Sequence, residues 1–215
     1  DVCSSDLGPN KGAAVWGTAW AAQQYAQRVT MNWRTLGPAA ALAFAGSLAG
    51  AWALTLVDGA GLRKALPFVL GAILLYTLAK KDLGREHAPR HDPVREAWLG
   101  GAIGGLIGLY DGFFGPGTGS FLVFAFVRLL GYDFLHASAS AKLLNVATNV
   151  AALLLFGVKG HIWWSVAAVL AVANILGSLL GTRLALRHGA GFVRGVFIVV
   201  VGALILKTGW DAFLR

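Results

Sequence analysis

Between Tyr110 and Ser120 the chain reads Y-D-G-F-F-G-P-G-T-G-S, and residues of these types could hold an anion. One acid, Asp111, is followed by Gly112, Gly115, Pro116, Gly117 and Gly119 in a stretch that is apolar on both sides. Lipid offers loose backbone N–H and C=O groups no partner, so a broken helix at membrane depth persists only inside protein or against a polar cavity. A helix restarting at Gly117-Thr118-Gly119-Ser120 presents N–H groups that have no intrahelical acceptor, and its dipole adds positive potential. Thr118 and Ser120 add hydroxyl donors. The run is not a phosphate loop, because no G-K-S/T follows and no strand precedes it. The bland alternative is a kinked span whose small residues only let helices pack.

A second group lies in the next apolar segment, where Lys142, Asn145 and Asn149 share one helical face. A lysine within a membrane span costs about 2.5–3.5 kcal/mol on insertion scales and hints at function. With two carboxamides beside it, it makes a positive, donor-rich stripe suited to an oxyanion; otherwise it snorkels to the interface or pairs with Asp111. Lys11, next to Asn10, occupies the corresponding place near the start of the chain. Asp111 itself has two readings. It is either a proton-titrating group that couples transport to an ion gradient, since burial raises a carboxyl pKa, or a fixed counter-ion at a helix end. His136 and His161 stand alone near segment ends and read as interfacial side chains. His87 and His91 flank Pro89 in a charged stretch and read as a solvated loop rather than a metal pair.

The elements that position these residues are apolar segments at about 12–27, 36–57, 65–80, 97–130, 134–156, 164–186 and 191–210. The chain is 57% hydrophobic and 13% charged, against the roughly one-quarter charged residues of soluble domains. It therefore reads as an all-α, polytopic membrane helix bundle embedded in a lipid bilayer. Segment 97–130 is too long for one simple span; it is either a discontinuous helix that crosses once or a re-entrant hairpin. The long hydrophilic link Lys80–Glu96 is the strongest cytoplasmic marker. With that link inside, a single crossing puts about ten Lys and Arg inside and six outside, and a hairpin about eleven and five. The difference is too small to choose between them. The net charge of +8 reflects this basic loop and does not imply nucleic acid. Cys3 is the only cysteine, so neither a disulfide framework nor a thiolate metal site is available, and no cofactor is implied.

Residues 10–80 laid on 141–211 without gaps match at roughly one position in five. Lys11 meets Lys142, and Gly46-Ser47-Leu48 with Gly50 meets Gly177-Ser178-Leu179 with Gly181. The two G-x-x-x-G pairs read as helix-packing surfaces. Internal duplication of this kind is a transporter signature, with a site near mid-membrane between the repeats. The expected organisation is an incomplete first repeat over 10–80, a basic cytoplasmic loop over 81–96, a second repeat over 97–211 and a tail over 212–215. Asp1–Leu7 resembles a translated sequencing adapter. Residues 1–9 are therefore set aside as non-native, and the native protein is expected to start upstream.

The Tyr110–Ser120 run, followed by A-S-A-S-A-K over 137–142, Leu144-Asn145 and Asn149, resembles the TauE/SafE family of sulfite-exporter-type permeases. Asn10-Lys11 and Gly46–Gly50 resemble its first-half equivalents. The resemblance implies a multi-pass bacterial inner-membrane protein of two repeats that moves small organosulfur or sulfur oxyanions. The chain departs from it in lacking the first repeat's glycine-rich opening segment. Function then reads as secondary transport of a small anion at Gly115–Ser120 and Lys142–Asn149. The alternatives are an intramembrane enzyme using Asp111 with His136 or His161, and a structural membrane protein without a polar cavity.

Overall fold

The structure is a computed structural model that describes residues 2–54, 60–158 and 164–213, with side chains described over 11–54, 64–155 and 169–213. Among these residues the chain forms α1 (Val2–Ala26), α2 (Trp33–Ala53), α3 (Ala60–Ala79), α4 (Pro93–Phe113), α5 (Thr118–Ala125), a π-helical turn (Phe126–Leu130), α6 (Phe134–Val158) and α7 (Trp164–Phe213). It is an all-α bundle. Trp33–Ala53, Phe134–Leu155 and Val169–Phe213 are long and apolar enough to cross a membrane. The outer surface agrees: Leu106, Val199 and Leu206 are at least 70% exposed, which water would not tolerate over so many residues and lipid favours. This is a multi-pass membrane protein.

Segment 97–130 doubles back. The Ala88 N–H donates to Gly131 O at 3.0 Å and the Arg90 N–H to Leu130 O at 3.1 Å, so the end of the π-helical turn lies beside the residues that lead into α4. α4 thus runs away from the basic link, the chain breaks at 114–117, and α5 with the π-helical turn returns to the same end. The hairpin is the one consistent reading. That end also gathers residues 27–32, the 131–133 link and the corner at Gly189, where Arg194 donates to Thr77 O at 2.7 Å and Lys80 O at 3.2 Å. Arg194 thereby satisfies the last carbonyls of α3.

Three boundaries differ from expectation. α1 takes in residues 2–9 without interruption instead of starting near 12. The basic link ends at Asp92, not Glu96, because the Asp92 side chain accepts the Arg95 N–H at 3.1 Å and Pro93 occupies the first turn of α4. Glu96 is therefore buried inside a helix end, where it accepts from Asn32 Nδ2 at 3.0 Å, Thr35 Oγ1 at 3.2 Å and the Tyr132 hydroxyl. Burial, then the bond to Glu96, hold the Tyr132 hydroxyl far above the usual tyrosine range, so it remains a donor. Finally, 164–186 and 191–210 merge into α7, fifty residues that would span about 75 Å if straight. Gly189 turns it back with φ 71° and ψ −166°, a conformation essentially reserved for glycine.

α2 and α4 make the closest contact. Gly46 and Gly50 pack as expected, against the α4 backbone at Gly105, Leu109 and Phe113. Beside them α4 turns a four-glycine ladder, Gly100, Gly104, Gly108 and Gly112, toward Thr35, Ala39, Ala43 and Ser47, a ladder which sequence reading did not single out. A Cβ at Gly108 would come within 2.4 Å of Ala43 O, and one at Gly112 within 2.0 Å of Ser47 O. The Ser47 hydroxyl then donates to Thr148 O at 2.9 Å and ties this pair to α6. The second G-x-x-x-G pair behaves differently: a Cβ at Gly177 or Gly181 meets nothing within 4 Å among the described residues.

Candidate anion site at the helix break

The break is shaped by the two glycines that flank Pro116. Gly115 (φ 89°) and Gly117 (φ 82°) both take left-handed conformations, and Gly117 is the N-cap of α5. The Tyr110 hydroxyl donates to Pro116 O and closes the turn. The Thr118 N–H goes to Gly115 O at 3.3 Å and the Phe121 N–H to Gly117 O at 3.0 Å. Those of Gly119 and Ser120 have no backbone acceptor among the described residues. They are the orphan donors of a helix start, set among buried side chains.

Asp111 is buried beside them, and its partner is Lys11 rather than Lys142. Lys11 Nζ lies 2.5 Å from Asp111 Oδ2, with both side chains almost wholly buried. The Thr118 hydroxyl lies 2.7 Å from both Asp111 Oδ1 and Gly115 O, and its one proton serves one of them at a time. A carboxylate with an ammonium partner and a hydroxyl beside it has the geometry of a fixed counter-ion. It joins α1, the end of α4 and the start of α5 into one unit.

Of the remaining expected residues, Asn145 reaches the break: a Cβ at Gly119 would meet Asn145 Nδ2 at 3.5 Å, ordinary contact distance. Ser120 and Asn149 are buried. Lys142 opens instead onto a cleft of about 280 Å³ between α1 and α7, lined by Ala21, Tyr25, Asn174, Gly177, Ser178 and Thr182 among others. Asn174, Ser178 and Thr182 were missed by sequence reading, although their spacing of four places them on one helical face and Asn174 is a polar residue within an apolar segment. Gly17 makes room for Asn174, since a Cβ there would collide with its Oδ1 at 2.0 Å. The side chain of Asn10 and all of His161 lie outside the described residues.

The histidine expectations need correction. His136 does not stand alone: its ring stacks on His87 with centroids 3.9 Å apart and lies 2.7 Å from Asp133 Oδ2. His91 is separate, with Nε2 3.0 Å from Leu129 O. His136 stands at the end of the bundle where α4 begins, whereas Asp111 lies near the end of α4, so these two form no acid–base pair.

Residues 7–208 match the family described as sulfite exporter TauE/SafE. A Sinorhizobium protein named probable membrane transporter protein ORF9 is 36% identical over 201 residues, 94% of this chain and 76% of the relative. The Escherichia coli probable membrane transporter protein YfcA is 38% identical over 174 residues, 80% of this chain and 63% of the relative. This chain thus spans less than two thirds of that protein's length. A Haemophilus influenzae probable membrane transporter protein is 33% identical over 211 residues, 96% of this chain and 82% of the relative. No solved structure matches. A glycine-broken hairpin in an apolar bundle and these matches together place the chain in the TauE/SafE family of membrane proteins.

Proposed function

We propose that this chain forms the anion-handling part of a secondary transporter in the bacterial inner membrane, moving small organosulfur or sulfur oxyanions. The carrying observation is the start of α5, where the orphan N–H groups of Gly119 and Ser120 sit with the Asn145 carboxamide inside an apolar bundle. A sulfonate or sulfite offers several acceptor oxygens and at least one negative charge, matching a dipole-backed donor cluster. The Lys11–Asp111 pair holds the break in shape, while Lys142 and Asn149 on the same helix as Asn145 supply further positive charge and donors along the path. Because Asp111 is matched by an ammonium group, the counter-ion reading is favoured over proton coupling through this residue. The membrane-transporter names of the relatives favour transport over intramembrane catalysis.

The test is uptake and efflux of sulfite, a short alkyl sulfonate and a carboxylate of matched size in proteoliposomes. Asn145→Asp keeps the side chain's size and adds a negative charge at the start of α5. At least a tenfold loss of transport is expected, with assembly unchanged. Transport that survives Asn145→Asp would remove the start of α5 from the pathway, and preference for the carboxylate would overturn the sulfur-anion class.

A further inference from the structure

Three side chains from two stretches of the sequence meet at the basic end of the bundle. Asp133 starts α6: its Oδ1 accepts the His136 backbone N–H at 2.7 Å, and its Oδ2 lies 2.7 Å from His136 Nδ1. That bond turns Nδ1 and Oδ2 toward each other, so an ion that replaces the proton between them would be met by both atoms, with Nε2 left to carry the ring proton. Thr30 Oγ1 is the polar neighbour of Nε2, at a long 3.4 Å. His87 lies against the other face, stacked on His136 with an interplanar angle of 23°.

The position of His87 is fixed by the backbone on both sides. The Phe134 N–H donates to Gly84 O at 2.9 Å and the Ala88 N–H to Gly131 O at 3.0 Å, so the loop is pinned to the 131–134 segment before and after His87.

We propose that His87, Asp133 and His136 form a binding site for a divalent transition-metal ion of the zinc and cobalt class. One ligand atom from each lies within 4.8 Å of the other two. Ligands about 2.0–2.2 Å from a tetrahedral ion lie about 3.4 Å apart, so closure requires shifts of up to about 1.4 Å, which rotation of the exposed His87 side chain and a slight opening of the Asp133–His136 contact supply. Two imidazoles and one carboxylate suit zinc or cobalt and exclude the all-oxygen preference of magnesium and calcium. Water completes the tetrahedron. The bound ion would clamp the 80–92 link to the foot of α6, independently of the anion site at the helix break.

The experiment uses the chain purified in detergent through a tag without histidines, stripped with a chelator and titrated with Co²⁺, with Zn²⁺ as competitor. One equivalent of Co²⁺ is expected to give the intense visible absorption of a tetrahedral site and to be displaced by Zn²⁺. His87→Ala and His136→Ala should each weaken binding at least tenfold, and His91→Ala, in the same link, should leave it unchanged. His87 is exposed, so its variant remains decisive even if His136→Ala disturbs the start of α6. No stoichiometric binding, or binding that persists in His87→Ala, overturns the proposal.

Discussion

Two G-S-L-x-G segments that align in sequence have opposite surroundings. Around Gly46, Ser47 and Gly50 the face is filled: a Cβ at either glycine would run into the α4 backbone, and Ser47 bonds across to Thr148 O. Around Gly177, Ser178 and Gly181 the face is open to a cleft, and no atom of the described residues lies within 4 Å of a Cβ at either glycine. The aligned lysines divide the same way. Lys11 is locked onto Asp111 at 2.5 Å, while Lys142 lines that cleft without an ion-pair partner among the described residues. Small residues permit close helix approach but do not compel it; the first face is a joint because the α4 backbone at Gly105, Leu109 and Phe113 lies against it.

The largest difference should come from filling the two faces. Gly50→Leu forces a side chain into the Leu109 backbone and should cost about 3 kcal/mol or more, read as loss of a monodisperse peak in detergent chromatography. Gly181→Leu should leave that peak intact, and equal damage from both would break the contrast. Next come the charges: Asp111→Asn leaves the Lys11 ammonium buried without its counter-charge and should lower stability by about 3–5 kcal/mol. Lys142→Met should change the thermal midpoint little while altering transport. An intermediate effect is expected at the corner, where Gly189→Ala meets no atom of the described residues within 4 Å but must hold a glycine-only conformation, at about 1–3 kcal/mol of strain in a thermal melt. The smallest is Ser47→Ala, about 1 kcal/mol from one buried hydrogen bond, set against no measurable change for Ser178→Ala.

Much of this was legible in sequence because it is local. Hydropathy marked the apolar segments, and the glycines with Pro116 marked the break to within a few residues. The direction of the chain after the break was not legible, since it depends on backbone bonds between 88–90 and 130–131 that no periodicity encodes. The partner of Asp111 was hidden for the same reason: Lys11 lies one hundred positions away, and the nearer Lys142 offered equal chemistry. His87 likewise reaches Asp133 and His136 only when the hairpin brings the 131–133 link back to the 80–92 link. Asp92-Pro93, by contrast, carried a readable helix-start signal that would have taken Glu96 out of the loop.

The corner at Gly189 has a mechanical consequence. One residue joins the two arms of α7, so there is no slack between them, and a long loop's freedom to absorb displacement is missing. The first arm packs along α1, and the second is gripped near its start where Arg194 holds the end of α3. A tilt of the first arm would have only the Gly189 corner to absorb it before reaching the hold that Arg194 keeps on the end of α3, so the cleft at Lys142 and the far flank of the bundle are joined as a crank is to its rod.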